Sequence, residues 1–298
     1  MAAVRGEERN AAPSNPSSNP SNIAIRSAAT VMLLSDRPDL HVFMLRRTPQ
    51  AVFGPGATVF PGGAVDASDG TPNERITGLD DLAASGELGL TAGGLARRVA
   101  AVRECFEEAG ILLAERSAPE SAVPIDALQA WRDALNAGHA TLEQVLETED
   151  LVVDVRALRV FSHWLTPVGA PRRYDTWFFA ARSPDGQDGV HDDGELVDSA
   201  WLRPIDALRQ RARGDLELIL PTMRCLEALA RFPTADAFFA ALDRVPRDHE
   251  HRPFVVADAG GERVVLPGDD AAQARRWTIP LPDLDIRTEA RLAAEGVS

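Results

Sequence analysis

The sequence predicts an α+β fold with a mixed β-sheet between helices, on three observations. Short apolar runs bounded by Gly, Pro and Asp recur as strand candidates. Stretches with apolar residues at helical spacing lie between and after them. The two kinds alternate irregularly and hairpins are frequent, which argues against a regular parallel array. At 298 residues and 45 % hydrophobic, the chain can bury a substantial core as one large domain with extensions, or at most two domains.

The elements follow in order. Residues 1–22, including "AAPSNPSSNPSN", are rich in Pro, Ser and Asn and read as a disordered tail. From Ser27, "SAATVMLLS" and "LHVFMLRR" flank "DRPD" as two strands around a turn. "ATVFPGGAVD" is a short strand broken by Pro-Gly-Gly, and residues 70–90, rich in Gly, Asp and Ser, read as a flexible surface loop. "LARRVAAVRECFEEAG" places Leu95, Val99, Val102 and Phe106 at helical spacing and stops at Gly110. "PIDALQAWRDALNAG" and "TLEQVLETED" read as two helices forming an insertion over about 120–150, packed through Trp131, Leu135 and Leu142. Three strand candidates follow, "ALRVFSHWLTP", "RRYDTWFFAAR" and "GELVDSAWL". The helices "PIDALRQRAR", "PTMRCLEALARF" and "TADAFFAAL" come next. The domain is expected over 23–245, and 246–298 form a C-terminal extension whose "PFVVADAGGERVVLP" predicts a hairpin.

Composition excludes some functions. A net charge of −14 opposes binding to a nucleic-acid polymer, whose phosphates attract basic surfaces. Every basic residue is Arg, so any anionic ligand must be met by a guanidinium or a bound cation. No apolar run is long enough to span a membrane, and the N-terminus lacks the apolar segment of a secretory signal. Cys105 and Cys225 are isolated and read as packed, reduced thiols of a cytoplasmic protein.

The chemistry centres on "RECFEEAG". On a helix Glu104, Glu107 and Glu108 share one face, where like charges repel by a few tenths of a kcal/mol per pair. They also stand near the helix C-terminus, whose dipole disfavours carboxylates. Two readings are open on this geometry: a solvated acidic face that tolerates the cost, or ligands for a hard divalent cation such as Mg²⁺. Arg103 would orient one of the carboxylates.

"RECFEEAGI" resembles the end of the Nudix hydrolase signature, G-x5-E-x7-R-E-U-x-E-E-x-G-U, with U a bulky apolar residue. Arg103, Glu104, Cys105, Glu107, Glu108, Gly110 and Ile111 match it position by position. The first half is displaced: Gly63-x5-Asp69 supplies the glycine and an acid, Asp in place of Glu, and 33 residues rather than 7 then precede Arg103. "VFMLRRTPQAVFGPGATVFPGGAVDASD" is similar to the segment before the box in coenzyme A–cleaving members of the superfamily, with Gly54 where His is usual. The split box, "HWLTP" and "LPTMRCLEAL" resemble the coenzyme A diphosphatases that carry a long insertion, the mammalian peroxisomal type and its bacterial relatives.

The resemblance implies a Nudix fold and Mg²⁺-dependent hydrolysis of a diphosphate, with Mn²⁺ able to substitute. Coenzyme A or an acyl derivative is the leading substrate, and it would give adenosine 3′,5′-bisphosphate and the phosphopantetheine half. It implies Glu104, Glu107 and Glu108 as metal ligands and Arg103 as the anchor of the loop–helix geometry, with Asp69 and Gly110 in support. Gly62 and Gly63 would turn the backbone, although alone they read as a hairpin turn. A further metal ligand or base is expected near Glu195, which reads equally as a loop acid. Arg46, Arg47 and Arg173 are candidates for substrate phosphate, or surface arginines paired with acids such as Asp175. His163 reads as core, and His249 and His251 as part of a polar linker. The alternatives are another dinucleotide or nucleotide-sugar diphosphatase, or a non-catalytic ligand sensor on the same fold; retention of all three glutamates favours an enzyme.

Overall fold

The computed structural model describes residues 23–51, 54–116, 125–168, 170, 172–192, 196–244, 250–251, 254–258 and 261–265. Strand β1 (Ile25–Asp36) opens the chain and β2 (Leu40–Arg47) returns beside it. The short strands β3 (Thr58–Val59), β4 (Gly62–Ala64) and β5 (Ile76–Thr77) lead to helices α1 (Asp81–Glu87) and α2 (Gly94–Ala109). Strand β6 (Glu115–Arg116), helices α3 (Ile125–Asn136) and α4 (Leu142–Thr148) and strand β7 (Leu151–Asp154) follow. Then come β8 (Arg159–Leu165), β9 (Arg173–Arg182) and β10 (Leu196–Leu202), and helices α5 (Pro204–Arg213), α6 (Leu220–Leu229) and α7 (Ala235–Leu242). Strand β11 (Glu250–His251) precedes the pair β12 (Phe254–Asp258) and β13 (Gly261–Val265), which run antiparallel.

The main sheet has the order β10-β2-β1-β9-β8-β11, with β3 added to β2 and β4 to β1. Strand β1 is antiparallel to β2 and parallel to β9, so the sheet is mixed as expected. A smaller sheet joins β5, β7 and β6. The central strands are apolar on both faces, because helices cover both. Val31, Leu33, Phe43, Leu45 and Phe179 pack towards α2, α3 and α4. Met32, Leu34, Val42, Met44 and Phe178 pack towards α5, α6 and α7. A strand alternates sides residue by residue. The odd-numbered positions of β1, β2 and β9 therefore face the acidic helix α2.

One expectation is overturned within 70–90, a stretch that was predicted to be a flexible loop. A short 3₁₀ turn (Ala67–Gly70) leads into it, and it contains strand β5 and helix α1. Asp80 caps α1 by accepting the Ala83 N–H at 2.8 Å. Ala84, Ser85 and Leu88 are buried. The polar side of α1 serves α2: Asp81 accepts the N–H groups of Gly93 and Leu95, each at 3.0 Å, and Ser85 accepts that of Gly94 at 2.9 Å. These are the donors a helix leaves unpaired at its start. Arg98, 1 % exposed, adds bonds to the Val155 carbonyl and to Glu87 at the end of α1. Shortening this segment would therefore disturb the folded body, because it caps the acidic helix.

Candidate active site

The glutamates stand in the second half of α2, opposite the turn between β3 and β4. Two glycines make that approach possible. A Cβ on Gly62 would lie 2.4 Å from the Ala29 carbonyl oxygen, and one on Gly63 would lie 2.4 Å from Glu104 Oε1. Any side chain at Gly63 would thus displace the Glu104 carboxylate.

Arg103 lies between the loop and the helix. Its Nε and Nη2 donate to the two oxygens of Asp69 at 2.9 and 3.0 Å, and Nη2 also donates to the Ala64 carbonyl at 2.9 Å. Its Nη1 bridges Glu104 and Glu107, 2.9 Å from each. Asp69 is 3 % exposed. A buried carboxylate of this kind needs a bound cation, and the planar guanidinium fork supplies one bidentately. Burial opposes the Arg103 charge, but Asp69, Glu104 and Glu107 outweigh it and hold the proton on.

The carboxylates are themselves held uncomfortably. Burial pushes Glu104 up to about 7 against the pull of Arg103, and repulsion from Glu107 adds to the rise. Burial pushes Glu108 up to about 8, with Glu104 raising it further; the Gly62 N–H, which donates to Oε2 at 2.8 Å, and the charge of Arg47 pull it back. Glu107 is raised by burial in the same way. As the described side chains stand, no three acidic, His or Cys groups converge on one point. The Arg103 guanidinium occupies the position between Glu104 and Glu107. The donor set nonetheless fits a hard divalent cation: three half-buried carboxylates on one and a half turns, protonated more readily than usual, that a cation would charge and draw together. The Cys105 thiol does not compete, since burial pushes it up and away from thiolate formation.

The other candidate residues divide. Arg47, at an odd position of β2, faces α2, and its charge acts on Glu108. Arg46 points to the opposite face and pairs with Asp198 at 3.4 Å, half-exposed, which removes it from the carboxylate site. Arg173 is partly buried and donates through Nε to the Thr166 carbonyl at 3.2 Å; the structure does not bring it to the glutamates. Asp175, expected to pair with the neighbouring arginines, is taken by Arg97 of α2 at 3.3 Å and by His163. The His163 bond holds the Asp175 carboxyl below its ordinary range, and the His163 ring stacks on Trp177 at 4.2 Å. Glu195 and His249 lie outside the described residues. Within the described part of that loop, the acid whose charge reaches Glu108 is Asp192. Trp131, Leu135 and Leu142 pack the inserted helices onto the core.

The sequence reading missed Arg132, Asp81 and Arg97. Asp81 carried a usable signal, since "LDDLAAS" has an N-cap acid ahead of helix formers. Arg132 and Arg97 have partners distant in sequence, so no local pattern marks them.

A mixed sheet between helices, with a glycine turn facing three glutamates of which Arg103 bridges two, is the architecture of a Nudix hydrolase. Residues 72–229 match the family described as the NUDT19 Nudix domain, and the chain belongs to that family of Nudix hydrolases. It is 30 % identical over 301 residues to the Gallus gallus acyl-coenzyme A diphosphatase NUDT19, covering 82 % of this chain and 79 % of that one. The Homo sapiens protein of the same name is 29 % identical over 267 residues, covering 77 % and 71 %. A crystal structure of a Nudix hydrolase from Alicyclobacillus acidocaldarius superposes with a TM-score of 0.58 at 28 % identity, covering 74 % of this chain and 97 % of that chain.

Proposed function

We propose that this enzyme hydrolyses the diphosphate of coenzyme A or an acyl-coenzyme A, releasing adenosine 3′,5′-bisphosphate and (acyl-)phosphopantetheine. The observation that carries the reaction type is the half-buried triplet Glu104, Glu107 and Glu108, the first two bridged by Arg103 and the third held by the Gly62 N–H. The relatives named acyl-coenzyme A diphosphatase support the substrate. Glu104, Glu107 and Glu108 would hold Mg²⁺, or Mn²⁺ in its place, which would polarise a phosphoryl oxygen and acidify a bound water.

The chain's own groups do the rest. Arg103 holds Glu104 and Glu107 in fixed rotamers and ties them to the loop through Asp69, so the carboxylates are positioned before substrate arrives. The Gly62 N–H orients Glu108 by donating to its Oε2. Arg47 brings positive charge to the same face as the glutamates, in a protein whose net charge of −14 otherwise repels a diphosphate. Retention of all three glutamates speaks against a non-catalytic sensor.

Coenzyme A carries a 3′-phosphate that dephospho-coenzyme A lacks, and recognising it requires a guanidinium. A charge-assisted pair contributes about 1.5–3 kcal/mol. Wild type should therefore prefer coenzyme A by about ten- to hundredfold in kcat/KM. The Arg47→Ala variant should lose most of that preference. Equal kcat/KM on both substrates in the wild type would make this a general dinucleotide or nucleotide-sugar diphosphatase and end the coenzyme A assignment.

A further inference from the structure

Helix α2 ends inside the protein, so its last four carbonyls must find donors there. Phe106 O accepts the Gly110 N–H and Ala109 O accepts the Val190 N–H, both at 2.9 Å. The two between belong to Glu107 and Glu108, and one side chain from the helical insertion serves both. Arg132 of α3 donates through Nε to Glu107 O at 2.9 Å and through Nη2 to Glu108 O at 2.6 Å. Asn136, one turn further, adds a bond to Glu107 O at 3.2 Å. Arg132 is 3 % exposed. At the other end of α2, Asp81 of α1 caps the first turn. An acid at the positive end and a cation at the negative end thus complement the helix dipole. Both come from segments outside the acidic turn itself.

We propose that Arg132 is a positioning residue for the reaction: it sets the rotation of the last turn of α2, and with it where the Glu107 and Glu108 side chains point. It touches no reacting atom. The proposal rests on those two glutamates belonging to the reactive site. Two effects compete when Arg132 is replaced. Loss of a cation leaves the site more negative, which draws a divalent cation more strongly. Loss of the fork takes the donor from Glu108 O and leaves Glu107 O with the longer Asn136 bond alone, and the turn that carries both carboxylates must rearrange to satisfy them. The second effect dominates, because the bonds to Glu107 O and Glu108 O act directly on the turn that carries the carboxylates, whereas the charge acts on those side chains only through space.

The test uses the full chain as wild type, Arg132→Met, Arg132→Lys and Glu107→Gln. Mn²⁺ binding is measured without substrate by paramagnetic resonance, and kcat, KM for coenzyme A and thermal melting are measured beside it. Folded Arg132→Met should bind Mn²⁺ about ten- to hundredfold more weakly and lose a comparable factor in kcat, with KM nearly unchanged. Lysine keeps the charge but cannot fork across two carbonyls, so Arg132→Lys should fall between the two. If the Met variant does not fold, the Lys variant decides, with about a tenfold weaker Mn²⁺ affinity expected. Unchanged or tighter Mn²⁺ binding with only a lower melting temperature, in whichever variant folds, would overturn the proposal and leave Arg132 a purely structural cap. Glu107→Gln separates the two levels. If that variant keeps full Mn²⁺ binding and turnover, the carboxylate site itself is wrong. If it is inactive while the Arg132 variants behave as wild type, only the positioning role is lost.

Discussion

Replacing Glu107 by Gln is expected to lower turnover by about three orders of magnitude while leaving the fold intact. Glutamine has the same shape and can still accept the Arg103 Nη1–H that Glu107 now accepts at 2.9 Å. What it lacks is the negative charge, and the reaction depends on that charge to hold a divalent cation. The fold has little to lose. Glu107 sits one residue from Glu108 and three from Glu104, near the negative end of α2, and burial already raises its carboxyl. Neutralising it removes the repulsion with Glu104, a few tenths of a kcal/mol, and a charge that the negative helix end disfavours. The melting temperature should therefore hold or rise slightly while kcat collapses. An unchanged kcat would contradict the metal-site assignment.

Arg103→Met should show the opposite pattern, losing stability as well as activity. Its guanidinium makes bonds to Asp69, Ala64 O, Glu104 and Glu107. Methionine fills a similar volume and supplies none of them. Asp69, 3 % exposed, would be left as a buried carboxylate without its cation. Breaking one partner out of such a pair costs about 3–5 kcal/mol. At about 2–4 °C per kcal/mol for a domain of this size, the melting temperature should fall by roughly 10 °C. Arg103→Lys should keep part of the stability and little of the activity, since an ammonium cannot fork Asp69 while bridging two glutamates. Differential scanning calorimetry checks the first claim, and a melting temperature within a degree or two of wild type in Arg103→Met would refute it.

How much of this was legible in the sequence depends on whether the decisive interactions were local. The acidic helix was legible because Val99, Val102 and Phe106 repeat at helical spacing and Gly110 stops it, all within one segment. The alternation of strands and helices gave the mixed sheet by the same kind of short-range pattern. Helix α1 was hidden because its seven residues turn few apolar groups inward, and its polar ones cap α2 instead of facing water. The choice between Arg46 and Arg47 could not be made from β2 alone. Val42, Phe43, Met44 and Leu45 are all buried, so no polarity contrast marks which face looks at the glutamates. The role of Arg132 was equally invisible, since its acceptors lie about 25 residues away and only the packing of α3 on α2 brings them together.

The most direct test of the central claim is the identity of the products. Wild-type enzyme is incubated with coenzyme A and Mg²⁺ in ¹⁸O-labelled water, with a chelator control, and the mixture is weighed by mass spectrometry. The expected result is metal-dependent appearance of adenosine 3′,5′-bisphosphate and phosphopantetheine, with one labelled oxygen on one of the two phosphates. Intact coenzyme A, or cleavage at the 3′-phosphate with the diphosphate preserved, would contradict the account.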